Sequence, residues 1–245
     1  MSSSNAPVSS PIDSVKALTF DVFGTVVDWR SSIIREAELL GHRLGIERDW
    51  TAFADAWRGL YQPSMSGVRN GERPWTKLDD LHRESLVTLL AEFDIQGLDE
   101  AAIDDLNRAW HRLDPWPDSV EGLTLLRERF VLATLSNGNV SLLVNMAKRA
   151  GLPWDAVLGA EVAGHYKPQP QAYTITAALL GLAPHECMMV AAHNNDLVAA
   201  SAQGLRTAFV GRPSEYGPEQ SADLLAEHDF DVVAISMVDL AHQLT

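Results

Sequence analysis

The stretch 15–20 is a short, mostly apolar run that stops at Asp21, with Gly24 and Thr25 close behind. An apolar run closed by a polar residue and a turn predicts a buried parallel strand with a polar carboxyl end. Similar runs recur at 130–135, 156–160, 187–192, 206–210 and 231–235. Helical patterns separate them. Val120, Leu123 and Leu126 follow Asp118, a predicted N-cap with Glu121 at the third helical position. Val140, Leu143, Val144 and Ala147 share one helix face. A third helix over 172–180 ends at Gly181 and Pro184. This alternation predicts an α/β fold, a parallel sheet with helices on both faces.

From 31 to 113 the alternation breaks and no strand pattern appears. Ile33, Ala37, Leu40 and Leu44 mark one helix face, and 53–61, 77–93 and 100–113 read as further helices. Asp114-Pro115-Trp116-Pro117 then returns the chain to the α/β pattern. The expected organisation is a core domain over 12–30 and 114–245 with an all-helical domain inserted over 31–113. The polar residues 1–11 are expected to be a frayed, disordered N-terminus.

A chain of 245 residues with 46% hydrophobic and 21% charged side chains suits one globular domain with a smaller insertion. The net charge of −14 and pI near 4.9 argue against nucleic acid or an anionic membrane as partner. A small anionic substrate would need a local basic funnel against that field. The single cysteine, Cys187, forms no disulfide within the chain and no zinc cluster, and its apolar surroundings predict strand packing. No secretory apolar core and no membrane-length apolar run is present, so the expected location is cytoplasmic.

Ligands of open α/β sheets bind at the carboxyl ends of strands, and four polar clusters fall there. Asp21-Val22-Phe23-Gly24-Thr25 offers a carboxylate beside turning backbone: a nucleophile with free amides, or an Asp that merely starts the turn. Ser136-Asn137-Gly138 offers a hydroxyl and an amide, or ordinary loop chemistry. His165-Tyr166-Lys167-Pro168 offers a cation on rigid backbone, or a surface lysine. His193-Asn194-Asn195-Asp196 offers a dense hydrogen-bonding site, or a helix cap.

Taken together, the order of an early Asp, a Ser, a Lys-Pro and a late Asp resembles the haloacid dehalogenase (HAD) superfamily of hydrolases. Asp21, Ser136, Lys167 and Asp196 match its four motifs, and the helical insertion matches its cap domain. The resemblance runs from about Val15 to the C-terminus and implies a HAD-like Rossmannoid parallel sheet core with an inserted all-helical cap. Most members are magnesium-dependent phosphatases with a second Asp two residues after the nucleophile and an Asp helping to bind the metal. Here those positions are Phe23 and Ala192, and Phe23 cannot donate a proton to a leaving alcohol. Asp21 and Asp196 could still hold magnesium beside a phosphate, so a phosphatase of small phosphate esters stands as an alternative. A catalytically retired binding protein is the second.

Both losses fit the L-2-haloacid dehalogenases, since a halide is a weak base that leaves without a general acid. That resemblance implies a hydrolase acting on carbon–halide bonds without metal or cofactor. An Asp displaces the halide at C2 and water hydrolyses the resulting aspartyl ester. Carried over residue by residue, Asp21 is the nucleophile and Thr25 fixes it. Arg58 of the Trp57-Arg58 pair and Asn137 hold the halide. Ser136 binds the substrate carboxylate with amides after Asp21, at Val22 and Phe23. Lys167 keeps Asp21 ionised, Tyr173 matches the tyrosine after that lysine, and Asp196 closes the fourth motif. One departure stands out: His193 replaces an Asn that positions water. An imidazole there can act as a base, with a pKa depressed by Arg58 and Lys167 and Glu36 to orient it. A pocket under Trp57, Phe23 and Trp75 favours haloacetates, including fluoroacetate, and the family implies a homodimer.

Overall fold

The computed structural model describes residues 11–245. The expectation for residues 1–11 therefore lies outside the described residues, except for Pro11, which opens a 3-10 turn over Pro11–Ser14. Five parallel strands form the main sheet: β1 (Ala17–Phe20), β4 (Val131–Thr134), β5 (Cys187–Ala191), β6 (Arg206–Val210) and β7 (Val232–Ala234), in the order β4-β1-β5-β6-β7. β1 pairs in register with β4 on one side and β5 on the other. Asp21 thus leaves an inner strand, flanked by the carboxyl ends of the strands that lead to Ser136 and His193.

Side chains alternate across a strand, and the core divides accordingly. Leu18, Phe20, Met188, Val190, Ala208 and Val210 join one apolar cluster, while Ala17, Met189, Ala191 and Phe209 join the other. The first cluster continues through Phe53, Trp57 and Trp110, so one sheet face and the cap interior form a single core. Cys187 is buried on the other face, as its neighbours predicted.

The predicted strand at 156–160 is not one. Only isolated bridges join Ala133 to Ala156 and Ser136 to Gly159, after which the short helix α8 (Ala160–Ala163) begins. Two helix details also differ. In α7 (Val140–Ala150) the buried side chains are Leu142, Leu143 and Met146, and Val144 is exposed. Asp118 precedes α6 (Ser119–Arg127) but does not cap it with its side chain. Its carboxylate is held instead by Arg212 at 2.9 Å and by the Met237 amide at the start of α11 (Met237–Leu244).

A two-residue antiparallel pair, β2 (Val27–Asp28) with β3 (Asp114–Pro115), clasps the chain where it leaves and re-enters the core. Between them every described element is helical: α1 (Trp29–Leu44), α2 (Trp50–Gly59), α3 (Tyr61–Arg69), α4 (Leu78–Glu92), α5 (Glu100–Asn107) and a 3-10 turn at Arg108–His111. This is the inserted helical cap. Asp28 accepts from the Ser31 amide to start α1, and Gly45 at φ 66° ends it. α3 accommodates Pro63 because it falls in the first turn, where proline is tolerated. The remaining helices are α9 (Pro170–Leu179) and α10 (Asn194–Ser201).

Candidate active site

Asp21 is 6% exposed and both its oxygens are engaged. Lys167 Nζ donates to Oδ1 at 2.9 Å. Thr25 Oγ1 donates to Oδ2 at 2.8 Å, and His193 Nδ1 lies 3.2 Å from the same oxygen. Thr25 is itself fixed, since its hydroxyl accepts from the Ala192 amide at 2.9 Å. Burial would raise the Asp21 carboxyl, but Lys167 and then His193 outweigh it and hold it well below the usual carboxylate range. The carboxylate is therefore ionised at any working pH. Lys167 also contacts Asp196, and Tyr173 donates to the other Asp196 oxygen at 2.7 Å. Burial works against the Lys167 ammonium, yet Asp196 and Asp21 keep it raised and charged.

The imidazole of His193 lies between two carboxylates. Its Nε2 is 2.9 Å from Glu215 Oε2 while Nδ1 faces Asp21. Burial would lower its pKa, but Glu215 first and Asp21 after it raise it well above the ordinary value. This corrects the expected depression: the ring sees two anions, not Arg58 and Lys167 alone. It also corrects the orienting residue. Glu36 is occupied by Arg112 at 2.7 Å and Arg35 at 3.1 Å, so Glu215 holds the ring. Glu215 is 1% exposed and accepts from the Trp29 indole at 3.0 Å, with Arg58 at 4.0 Å.

Gly24 makes room for that glutamate. Its φ is +84°, and a Cβ there would stand 2.1 Å from Glu215 Oε1. Gly24→Ala is expected to cost roughly 1–3 kcal/mol in backbone strain and to push Glu215 off His193. A lowered melting temperature together with slowed turnover checks this. A variant that turns over at the wild-type rate contradicts it.

These groups open into a cavity of about 560 Å³ lined by Asp21, Phe23, Asn137, Lys167, Tyr173, His193 and Asp196 from the core and by Arg58, Tyr61, Gln62 and Arg69 from the cap. Asn137 Oδ1 accepts from the Lys167 amide at 2.8 Å, so its amide nitrogen is turned away from that bond. The Arg58 guanidinium sits over the Tyr61 ring at 4.2 Å, and its Nη1 is buried without a partner. A buried guanidinium nitrogen left without a hydrogen-bond partner in a residue that lines a cavity is suited to an anion.

Not every expected residue reaches that wall. Ser136 and Val22 are fully buried behind it, and the Ser136 hydroxyl oxygen accepts from the Gly138 amide at 3.1 Å. The backbone N–H groups of Val22 and Phe23 donate to no backbone acceptor among the described residues. Trp57 is not brought to the cavity. It packs edge-on against Trp110 and Phe53 in the cap core, and its indole donates to the His82 carbonyl at 3.2 Å. Trp75 is also outside the lining, packed at a tilt against Tyr166 with ring centroids 4.7 Å apart. Of the expected aromatic lid, only Phe23 lines the cavity, and Tyr61 and Tyr216 stand where the tryptophans were expected. Tyr61, Glu215 and Tyr216 went unpredicted. The available signal was the strand run 206–210, whose carboxyl end leads directly into Arg212, Glu215 and Tyr216.

A family model described as haloacid dehalogenase-like hydrolase matches residues 15–204. Over 84% of its length the chain is 30% identical to (S)-2-haloacid dehalogenase 4A of Burkholderia cepacia, covering 88% of that protein. Among solved structures, a defluorinating L-2-haloacid dehalogenase shares 50% identity with a TM-score of 0.92, the match covering 94% of this chain and 95% of that one. Another L-2-haloacid dehalogenase shares 51% identity with a TM-score of 0.91, covering 94% and 98%.

Proposed function

Since the chain belongs to the haloacid dehalogenase-like hydrolases, and among them to the L-2-haloacid dehalogenase family, we propose that it replaces the halogen of small 2-haloacids by hydroxyl through a covalent ester on Asp21. The observation that carries the reading is the surroundings of Asp21. The carboxylate is charged and fixed by Lys167 and Thr25, with Phe23 and Ala192 where a phosphatase needs an acid and a metal ligand.

In the first half-reaction an Asp21 oxygen attacks C2, the carbon–halogen bond breaks, and the pair of electrons leaves with the halide. The Arg58 Nη1 donor and the Asn137 amide take up the developing negative charge. The substrate carboxylate is held by the free backbone amides that follow Asp21, while Ser136, buried behind the cavity wall, braces its own loop by accepting from the Gly138 amide. Esterification removes the charge of Asp21, so His193 loses one of the two anions that raise its pKa and releases a proton to solvent. The neutral ring, held by Glu215, then takes a proton from the water that attacks the ester carbonyl. Collapse passes the second proton of that water to the departing alkoxide, which returns the Asp21 carboxylate and frees the 2-hydroxyacid, and His193 is protonated again as at the start.

Fluoroacetate belongs in the substrate panel because a structural relative is named as defluorinating. The proposed division of the chain is a core over 12–30 with 114–245 and a cap over 31–113. The proposed assembly is a homodimer, which sedimentation tests, and the proposed location is the cytoplasm, which cell fractionation tests. No helix among the described residues is long and apolar enough to cross a membrane.

Halide release from a panel of 2-haloacids is expected to persist in EDTA, with p-nitrophenyl phosphate a poor substrate. Phosphatase activity that disappears with chelator and returns with magnesium, in an enzyme that releases no halide, would favour the phosphatase alternative. Binding of 2-haloacids without turnover would favour the retired binding protein.

A further inference from the structure

A haloacid is an anion, and the chain carries a net charge of −14. Most charges around the cavity are already balanced. Lys167 is shared by Asp21 and Asp196, His193 lies between Asp21 and Glu215, and Arg58 has Glu215 at 4.0 Å. Asp223 also lines the cavity and adds a negative charge there.

Arg69 differs from these groups. Its guanidinium forms no ion pair with a carboxylate among the described residues, and its hydrogen bonds all go to neutral acceptors. Nη1 donates to Gln62 Oε1 at 2.9 Å and to the Lys167 carbonyl at 3.1 Å. Nη2 donates to the Gln62 carbonyl at 3.1 Å and to Ser66 Oγ at 3.0 Å. The fork is thus pinned from the cap helix α3 to the core without losing its charge. Gln62 completes the arrangement: with Oε1 committed to Arg69, its Nε2 points elsewhere and donates to no acceptor among the described residues. Both residues line the cavity, and Gln62 is exposed while Asp21 is buried, which puts the pair on the solvent side of the nucleophile.

We propose that Arg69 and Gln62 form a docking site for the carboxylate of small organic anions at the cavity mouth, which captures the substrate against the protein's own field before it reaches Asp21. The inference rests on the haloacid reading for its substrate, but not for its test. A focused local charge of this kind changes capture by about tenfold or more, and added salt screens it.

The test is binding of acetate at low ionic strength, followed by NMR, beside steady-state turnover of chloroacetate with ionic strength set by a halide-free salt. Gln62→Glu preserves the acceptor for Arg69 but neutralises its charge, so the structural contact survives and only the field changes. Acetate binding and kcat/KM are expected to fall about tenfold in this variant, and the salt dependence of both to flatten. Single-turnover ester formation at saturating chloroacetate should stay near the wild-type rate. Arg69→Lys should keep most of the affinity and the salt dependence, and Arg69→Gln should lose both. Wild-type acetate binding with an unchanged salt slope in Gln62→Glu overturns the proposal. So does an Arg69→Lys variant as impaired as Arg69→Gln, which would make the fork an anchor and not a charge. Because acetate binding needs no turnover, a protein that releases no halide refutes the dehalogenase reading while leaving this result readable.

Discussion

Asp21→Asn is expected to lower halide release by roughly 10⁴-fold or more and to abolish the covalent adduct with it. The substitution is nearly isosteric, and an amide oxygen can still accept from Thr25 Oγ1, which donates to this position at 2.8 Å. What it removes is the charge that attacks C2, and an amide is a far weaker nucleophile than a carboxylate. Lys167 keeps Asp196 as a partner, so its ammonium is not left unpaired. A folded variant with no activity, checked by circular dichroism beside rapid-quench mass spectrometry, is the expected result. Halide release at a substantial fraction of the wild-type rate would mean that Asp21 is not the nucleophile.

His193→Ala is expected to separate the two half-reactions. In the proposed mechanism displacement depends on Asp21, Lys167, Arg58 and Asn137, all of which remain, so the ester should form. Its hydrolysis loses the base and slows by about 10²–10⁴-fold, and mass spectrometry should show protein carrying the acid adduct. The pH profiles should differ in the wild type as well. Asp21 is held well below the usual carboxylate range, so displacement should be flat across neutral pH. His193 is raised in the resting enzyme by Glu215 and Asp21. Esterification removes the second anion, so ester hydrolysis should rise with pH as the ring of the intermediate deprotonates, then level off. Glu215→Gln removes the remaining anion and is expected to move that rise to lower pH. A His193→Ala enzyme that turns over normally without adduct would make the histidine structural and leave the water to another group.

Much of this site was readable in the chain because its parts follow strand ends. A buried parallel strand declares itself by an apolar run, and the residue that stops the run lies on the ligand side of the sheet. Asp21, Asn137 and His193 were legible for that reason, and so was the helical cap, whose pattern keeps a helical period where the core alternates. The run at 156–160 misled because an apolar stretch says nothing about whether a partner strand lies beside it. Glu215 was not legible. Its role depends on Gly24 lacking a side chain and on Trp29 donating across the fold, contacts that no local pattern encodes. The misjudged His193 pKa has the same origin, since the sign of the shift depends on which charges surround the ring in space. The pocket expected under Trp57 and Trp75 fails for the same reason, since neither side chain lines the cavity. Helix geometry turns Trp57 into the cap core while its neighbour Arg58 faces the cavity.

The covalent route through Asp21 is tested most directly by a single turnover in oxygen-18 water with enzyme in excess over chloroacetate. Attack of water on the ester carbonyl leaves the new oxygen on the Asp21 carboxylate, and the oxygen carried off in the product comes from the enzyme. Peptide mass spectrometry should therefore find the label in the fragment containing Asp21, with unlabelled glycolate. Label in glycolate alone, with Asp21 unlabelled, would mean that water attacks C2 directly and would contradict the mechanism.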